Sequence, residues 1–499
     1  MPTATTEQHD VLIIGAGLSG INAAYRVQTE TKRDYTILEG RASMGGTWDL
    51  FRYPGIRSDS DMNTFSLPFR VWRDAKSLAD GPAILDYIKT TAAEFGIDRH
   101  IRYNTKVKAL SWDSSTSRWT VTVETNGQTQ QLVARWVLSA SGYYRYDAGY
   151  LPEFPGRASF KGPVVHPQAW PEDLDYKDKR VAVIGSGATA ITLVPAMLER
   201  GAAHMTMIQR SPSYYMMLNR EDTFSRVVRN TLPEGFAHTL LRFLYAARTL
   251  LFFFACQAFP KFFRGVLQGM AAKQLPKSIP VDPHFTPSYN PWDQRLCVAP
   301  GGDLFECLRS GKADMVTGHI EHFTDKGILM KDGQHVNADI IVTATGLQME
   351  LLSDITITVD GELVKLGERY AWQGQLLEGV PNLSIIIGYS NLSWTCGSDV
   401  CARMVCKLIN EQDKTGKDVT VPEADRTQLQ PKQIMSLSSG YFQRAKGRIP
   451  MAGNKAPWAP RENYFRDLFA LYFGSTRDSL RSYASGTARP VSAAAKKTQ

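Results

Sequence analysis

Short, fully apolar runs alternate along this chain with segments of helical period. Residues 11–14 are four apolar side chains that stop at a glycine, and residues 21–29 then repeat apolar positions at intervals of three and four. The first pattern fits a parallel strand buried on both faces, the second an amphipathic helix. A second apolar run, 35–38, ends at Glu39 and completes a βαβ unit. Residues 82–95 read as a helix, 119–124 alternate as a half-buried strand, and 136–140 form a buried strand closing on Ser141-Gly142. The cycle then restarts: an apolar run at 181–184, Gly185, a helix to about Glu199, and a strand at 205–209 that ends at Arg210. Residues 339–342 run into Thr343-Ala344-Thr345-Gly346 as a further strand and turn.

Two such units predict an α/β chain with two Rossmann-like dinucleotide-binding domains, the second inserted in the first. The expected division is 1–145 and 339–484 for the first domain, and 146–222 with 291–338 for the second. A linker lies at 160–171, a helical insertion at 223–290 and a disordered tail at 485–499. The insertion is aromatic and basic, with an apolar centre at 250–255, and Arg242 and Arg248 interrupt it too often for a membrane span. The plain reading packs it on the second dinucleotide domain; the sharper reading rests 240–265 on a membrane surface.

Composition narrows the class. With 43% hydrophobic and 21% charged residues, 499 residues suit two or three ordinary globular domains. The net charge of +8 comes from basic residues spread along the chain, which argues against nucleic acid. The six cysteines, Cys256 to Cys406, form no C-x-x-C pair, so they read as buried side chains and no dithiol redox centre is expected. No metal is called for. The first ten residues lack a signal-peptide pattern and the last three are no peroxisomal signal, so a cytoplasmic protein is expected.

Gly15-x-Gly17-x-x-Gly20 joins a strand to a helix. The first glycine permits the turn, the second admits a pyrophosphate to the backbone, and the third lets helix and strand pack closely. Glu39, nineteen residues later, can accept hydrogen bonds from a ribose. In the second loop, Gly185-x-Gly187-x-x-Ala190, the residue twenty positions on is Arg210, followed by Ser211. Arginine favours a 2′-phosphate where an acid would repel it, so NADPH is expected over NADH. The plain alternative is a solvated strand-end arginine.

Three further segments carry specific chemistry. The linker reads Phe160-x-Gly162-x-x-x-His166-x-x-x-Trp170-Pro171; Gly45-Gly46-Thr47-Trp48 precedes Tyr53-Pro54-Gly55 and Asp59; and Asn290-Pro291-Trp292-Asp293-Gln294 ends at Arg295. Over about residues 8–475 these resemble class B flavoprotein monooxygenases of the type I Baeyer–Villiger kind. The likeness is nearest to the branch holding the mycobacterial ethionamide-activating enzyme. The resemblance implies FAD in the first domain, lined by Gly46, Thr47 and Trp48, and NADPH in the second. It implies insertion of one oxygen atom of O2 beside a ketone carbonyl through a C4a-peroxyflavin, giving an ester or lactone, with oxidation of thioethers besides. A peroxide anion needs a permanent cation, and by resemblance this is Arg295, with Asp59 orienting it. His166 and Trp170 are expected to couple domain movement to cofactor exchange rather than to move protons.

The chain departs from the family in two places. Gln294 stands where relatives often carry a phosphate-binding lysine, which weakens the expected preference for NADPH. The C-terminal Trp-Tyr-x-Gly-Ala-Asn segment of the cyclohexanone-type branch is missing, leaving Trp394 and Trp458 as candidates to cover the nicotinamide. Two other functions compete. A flavin monooxygenase acting only on sulfur or nitrogen usually ends its linker in phenylalanine or tyrosine, where this chain has Trp170-Pro171. A non-oxygenating NADPH flavoprotein, an oxidase or redox sensor, needs neither Asp59 nor Arg295. Monomer and dimer are both open.

Overall fold

The computed structural model describes residues 7–352, 354–435 and 438–486. Residues 487–499 of the expected tail, and the first six of the N-terminal segment, lie outside the described residues.

The first apolar run forms the centre of one sheet. Strand Glu7–Ile14 runs parallel between Tyr35–Leu38 and Gln128–Ser139, with Ile14 level with both Leu38 and Ser139. All three strands therefore end together where Gly15 begins. The four residues Val11 to Ile14 are buried, as a strand covered on both faces requires. An antiparallel meander, Thr105–Asp113, Arg118–Thr125 and Gln128–Ser139, widens the sheet. Thr356–Val359 and Leu383–Ile385 join it from late in the chain. Helix Trp394–Thr415 lies against helix Leu18–Glu30, where Asp399 holds Arg26 at 2.8 Å.

The second sheet has five parallel strands in the order Ala313–Thr317, His204–Gln209, Arg180–Ile184, Ile340–Thr343 and Val164–Val165. This corrects the boundary expected at 339. Strand Ile340–Thr343 pairs with Arg180–Ile184, from Ile340 beside Val181 to Thr343 beside Ile184. An apolar run buried on both faces carries no mark of the sheet it joins; what decides it here is Asp339, whose carboxylate accepts the Arg180 N–H at 2.8 Å. The linker contributes the edge strand, Val164–Val165.

The chain crosses between the two domains along two segments that pair with each other. Tyr144 bridges Met349 in antiparallel sense, Arg145 N–H donates to the Gln348 carbonyl at 2.9 Å, and Glu350 N–H donates to the Tyr143 carbonyl at 3.0 Å.

The insertion folds as helices Thr223–Thr231, Glu234–Ala258, Pro260–Ala272 and Val281–His284. It does not pack on the second domain alone. The long helix Glu234–Ala258 docks on the first: buried Arg242 donates to the carbonyls of Thr64 at 3.0 Å and Ser66 at 2.7 Å, and His238 meets the Leu67 carbonyl at 3.1 Å. Ala246 and Leu250 pack with Tyr389, Cys396 and Tyr464. The next helix turns Ala271 into the second domain's core beside Phe285 and Phe305. Arg242, which seemed to interrupt the helix, is thus what fastens it to the first domain.

Arg242→Ala strands two buried carbonyls. It should lower unfolding stability by about 2–4 kcal/mol; an unchanged urea midpoint would contradict this role.

Candidate active site

Helix Leu18–Glu30 starts at Gly17 with no side-chain cap and no acid in its first turn, which leaves its opening N–H groups for an anion. A Cβ on Gly20 would stand 1.9 Å from the Gly15 carbonyl oxygen, so only glycine fits there. Gly17 and Gly46 face each other; a Cβ on Gly46 would come within 3.1 Å of the Gly17 Cα. Glu39 is buried at the end of the next strand. Its carboxylate accepts the Ala16 N–H at 2.8 Å and the Arg41 N–H at 2.9 Å. Burial raises its pKa, against those bonds, which hold it down. A fixed carboxylate beside an uncapped helix start suits the ribose and pyrophosphate of a dinucleotide. Thr47 meets the Tyr144 hydroxyl at 2.5 Å, and half-buried Trp48 lies edge-on to Phe65.

The second loop repeats this plan. Helix Ala188–Glu199 starts uncapped at Gly187, where an added Cβ would meet nothing within 4 Å. Gly185 abuts the Ala344 carbonyl, Ala190 is wholly buried, and Arg210 and Ser211 are exposed at the end of strand His204–Gln209. The residues present fit a dinucleotide here too, with a guanidinium free to meet a phosphate.

Between the loops, residues 53–59 cross from one domain to the other. Tyr53 is buried in the second domain's core. Gly55, at φ +76°, lies so close to helix Ala188–Glu199 that a Cβ would fall 2.5 Å from that of Ala196. Arg57 pairs with Asp303 at 2.6 Å. This brings Asp59 to Arg295, Oδ1 to Nη2, at 3.3 Å. Arg295 follows a tight turn in which Trp292 takes φ +69°, a strain of about 1–3 kcal/mol for a non-glycine residue. Asn290 N–H donates to the Asp293 carboxylate at 2.9 Å, and the Asp293 carbonyl accepts Ser438 N–H at 2.8 Å. Asp59, first, then Tyr143 and Tyr441 raise the Arg295 pKa against burial, so the cation is permanent.

A cavity of about 320 Å³ opens on this pair, walled by Met216, Phe252, Trp292 and Leu392. A neighbouring cavity of about 400 Å³ shares Asp61, Leu218 and Arg248 with it.

Residues 8–369 match the family described as flavin-binding monooxygenase-like. The chain belongs to that family. It is 47% identical over 464 residues to the FAD-containing monooxygenase EthA of Mycolicibacterium smegmatis, covering 93% of this chain and 94% of the relative. Among solved structures, an oxidized steroid monooxygenase bound to NADP superposes with a TM-score of 0.76 at 21% identity, covering 96% of this chain and all of the other. A cyclohexanone monooxygenase bound to epsilon-caprolactone superposes at 0.72 with 19% identity, covering 96% of this chain and 100% of that one.

Within this flavin monooxygenase, Tyr143 and Tyr441 beside the cation escaped the sequence reading. Tyr143 stacks on Trp394, ring centres 4.8 Å apart, and the Trp394 indole N–H donates to Ser19 Oγ at 2.9 Å. Trp394 therefore sits on the first dinucleotide loop, while Trp458 is buried near Tyr370 in the core. Trp292, by contrast, stood in a motif already singled out. All six cysteines are free; five are buried and Cys307 is half-buried. Burial pushes the Cys297 thiol up to about 12, so the thiol beside Arg295 stays protonated.

The linker residues are fastened to the strand and turn at 339–346. Phe160 is buried with Ile341, and a Cβ on Gly162 would strike the Asp339 carbonyl at 2.1 Å. His166 Nδ1 accepts the Gln168 N–H at 3.2 Å, leaving Nε2–H to donate to the Gly346 carbonyl at 3.2 Å. Trp170 is half-buried against the second domain's core. Burial lowers the His166 pKa. The neutral ring therefore favours the fold, a contribution present above the ordinary imidazole value of about 6.5 and lost as pH falls below it. His166→Asn, which cannot titrate, should flatten the acid-side fall of melting temperature; identical pH slopes would refute the assignment.

Proposed function

We propose that the chain is an FAD- and NADPH-dependent Baeyer–Villiger monooxygenase. With O2 and NADPH it converts a ketone to an ester or lactone, the second oxygen atom leaving as water. The observation that carries this is the Arg295–Asp59 pair on an apolar cavity, at the seam of two dinucleotide domains. FAD, when bound and reduced, supplies the two electrons that activate oxygen.

The protein groups do the rest. Gly17, Gly46 and the start of helix Leu18–Glu30 hold the pyrophosphate of FAD, and Glu39 its ribose. Thr47 and Trp48 line the flavin. Gly185, Gly187 and Ala190 shape the NADPH loop, and Arg210 with Ser211 takes the 2′-phosphate. Arg295 places a fixed positive charge where oxygen gains negative charge during attack on the carbonyl. Asp59 keeps that guanidinium from turning away and is a positioning residue. The apolar walls exclude water and accept an open-chain, cyclic or aryl ketone alike. The apolar side chains of Met216, Phe252, Trp292 and Leu392 would pack on a thioether as readily as on a ketone, which supports oxidation of thioethers as a second activity. Phe160, Gly162, His166 and Trp170 tie the linker to the strap between domains and act at a distance from the reaction. A cytoplasmic setting fits the supply of NADPH.

The neighbouring cyclohexanone enzyme was solved with a lactone, the ring-expanded product of its named substrate, and this supports the same chemistry here.

Arg295→Ala should retain the yellow flavin and lose ester formation by about a thousandfold, the order seen when one oxyanion-stabilising donor is removed. Full ketone turnover in that variant would remove Arg295 from the mechanism. Arg210→Ala should raise KM for NADPH at least about tenfold, the loss of one charge-assisted contact, and leave KM for NADH unmoved. Equal changes would refute the phosphate assignment.

A further inference from the structure

Residues 223–280 hold eight Lys and Arg against a single acid, Glu234, a charge of +7 out of the chain's +8. The basic residues are scattered along the chain, but the acids that balance them elsewhere are missing from this segment. The same segment carries most of the large apolar side chains left in solvent.

Its long helix is apolar on two opposite faces. Leu241, Ala246 and Leu250 are buried in the protein beside Arg242, whereas Phe236, Phe243, Leu244, Leu251 and Phe254 are exposed. Those exposed positions recur at intervals of three, seven and eight, and fall on one side of a helix of 3.6 residues per turn. Leu251 is 71% exposed and Phe236 61%. The next helix adds Phe262, 66% exposed, beside exposed Lys261. Phe243 touches Phe465 at 5.0 Å, and from there Phe469 and Phe473 extend the same apolar surface. By length and composition the helix could cross a membrane, but its inner face is bonded to the first domain through Arg242.

We propose that this surface docks the enzyme on an anionic lipid bilayer, lying in the interface without crossing it. The charge selects the occupant. A second copy of this chain would bring the same exposed Lys261, Lys273 and Lys277 against themselves, whereas acidic headgroups meet these lysines while the phenylalanines enter the acyl boundary. The docked helix also lines the reaction cavity through Thr249 and Phe252. A ketone dissolved in the bilayer is therefore delivered across the width of one helix. This delivery rests on the reaction proposed above; the docking does not.

The holoenzyme is sedimented with vesicles of phosphatidylcholine, with and without phosphatidylglycerol. Two variants are compared, Phe236→Ser/Leu251→Ser/Phe262→Ser and Lys261→Glu/Lys273→Glu/Lys277→Glu. Binding should require phosphatidylglycerol and fall about tenfold or more in each variant. Turnover of a water-soluble ketone should be unchanged, and turnover of a long-chain ketone carried in the vesicles should fall with binding. The lysine set touches no core, so it serves if the apolar set misfolds. Wild-type protein left in the supernatant with both vesicles overturns the docking, as do variants that bind undiminished. A wild-type dimer that the serine variant splits, with no vesicle binding, would make the face a contact between copies and end the proposal. If the enzyme binds vesicles but oxidises no ketone, the reaction fails and the docking stands.

Discussion

Asp59 reaches Arg295 because the loop before it is fastened to the other domain at two points. Gly55 leaves no room for a side chain against helix Ala188–Glu199, and Arg57 reaches across to Asp303. Both members of that second pair are nearly shielded from water, and Asp303 also meets Arg220 at 3.4 Å, so it is removal of Asp303 that would leave the Arg57 guanidinium without its carboxylate in a poorly solvated place, at a cost of about 3–5 kcal/mol. The pairing at the reaction centre is looser and partly open, at 3.3 Å. Strength is placed beside the chemistry and freedom within it. A guanidinium held by one oxygen can still be approached by a substrate.

The strain at Trp292 belongs to the same construction. A bulky residue in left-handed backbone persists only where its surroundings over-determine it. Here the Asn290–Asp293 turn, the Ser438 contact and the packing of Trp292 edge-on to Phe253 all do so. The result aims Arg295 into the cavity and makes the indole one of its walls.

Much of this is legible in the sequence. Both glycine loops follow apolar runs, and the burial of Val11 to Ile14 and of Val181 to Ile184 is what such runs predict. Arg295 and Asp59, 236 positions apart, could be associated only through resemblance, because spacing says nothing about contacts that distant. Strand Ile340–Thr343 went to the wrong domain because its sequence is equally at home in either sheet. The insertion was misplaced for another reason. Arg242 looks like an interruption in a one-dimensional hydropathy pattern, yet it finds carbonyl acceptors that the pattern cannot show. The concentration of charge at 223–280 was present in the letters, hidden by counting basic residues without the acids.

The paired crossing segments at Tyr143–Tyr150 and Gly346–Glu350 have a mechanical consequence. A single tether lets one body swivel about another; a ribbon two strands wide folds along its breadth and resists torsion. His166, bonded to Gly346, sits at the margin of that ribbon. Any excursion of the two halves is thereby confined to something like a book opening on its spine, and each closure presents the same side of one page to the other.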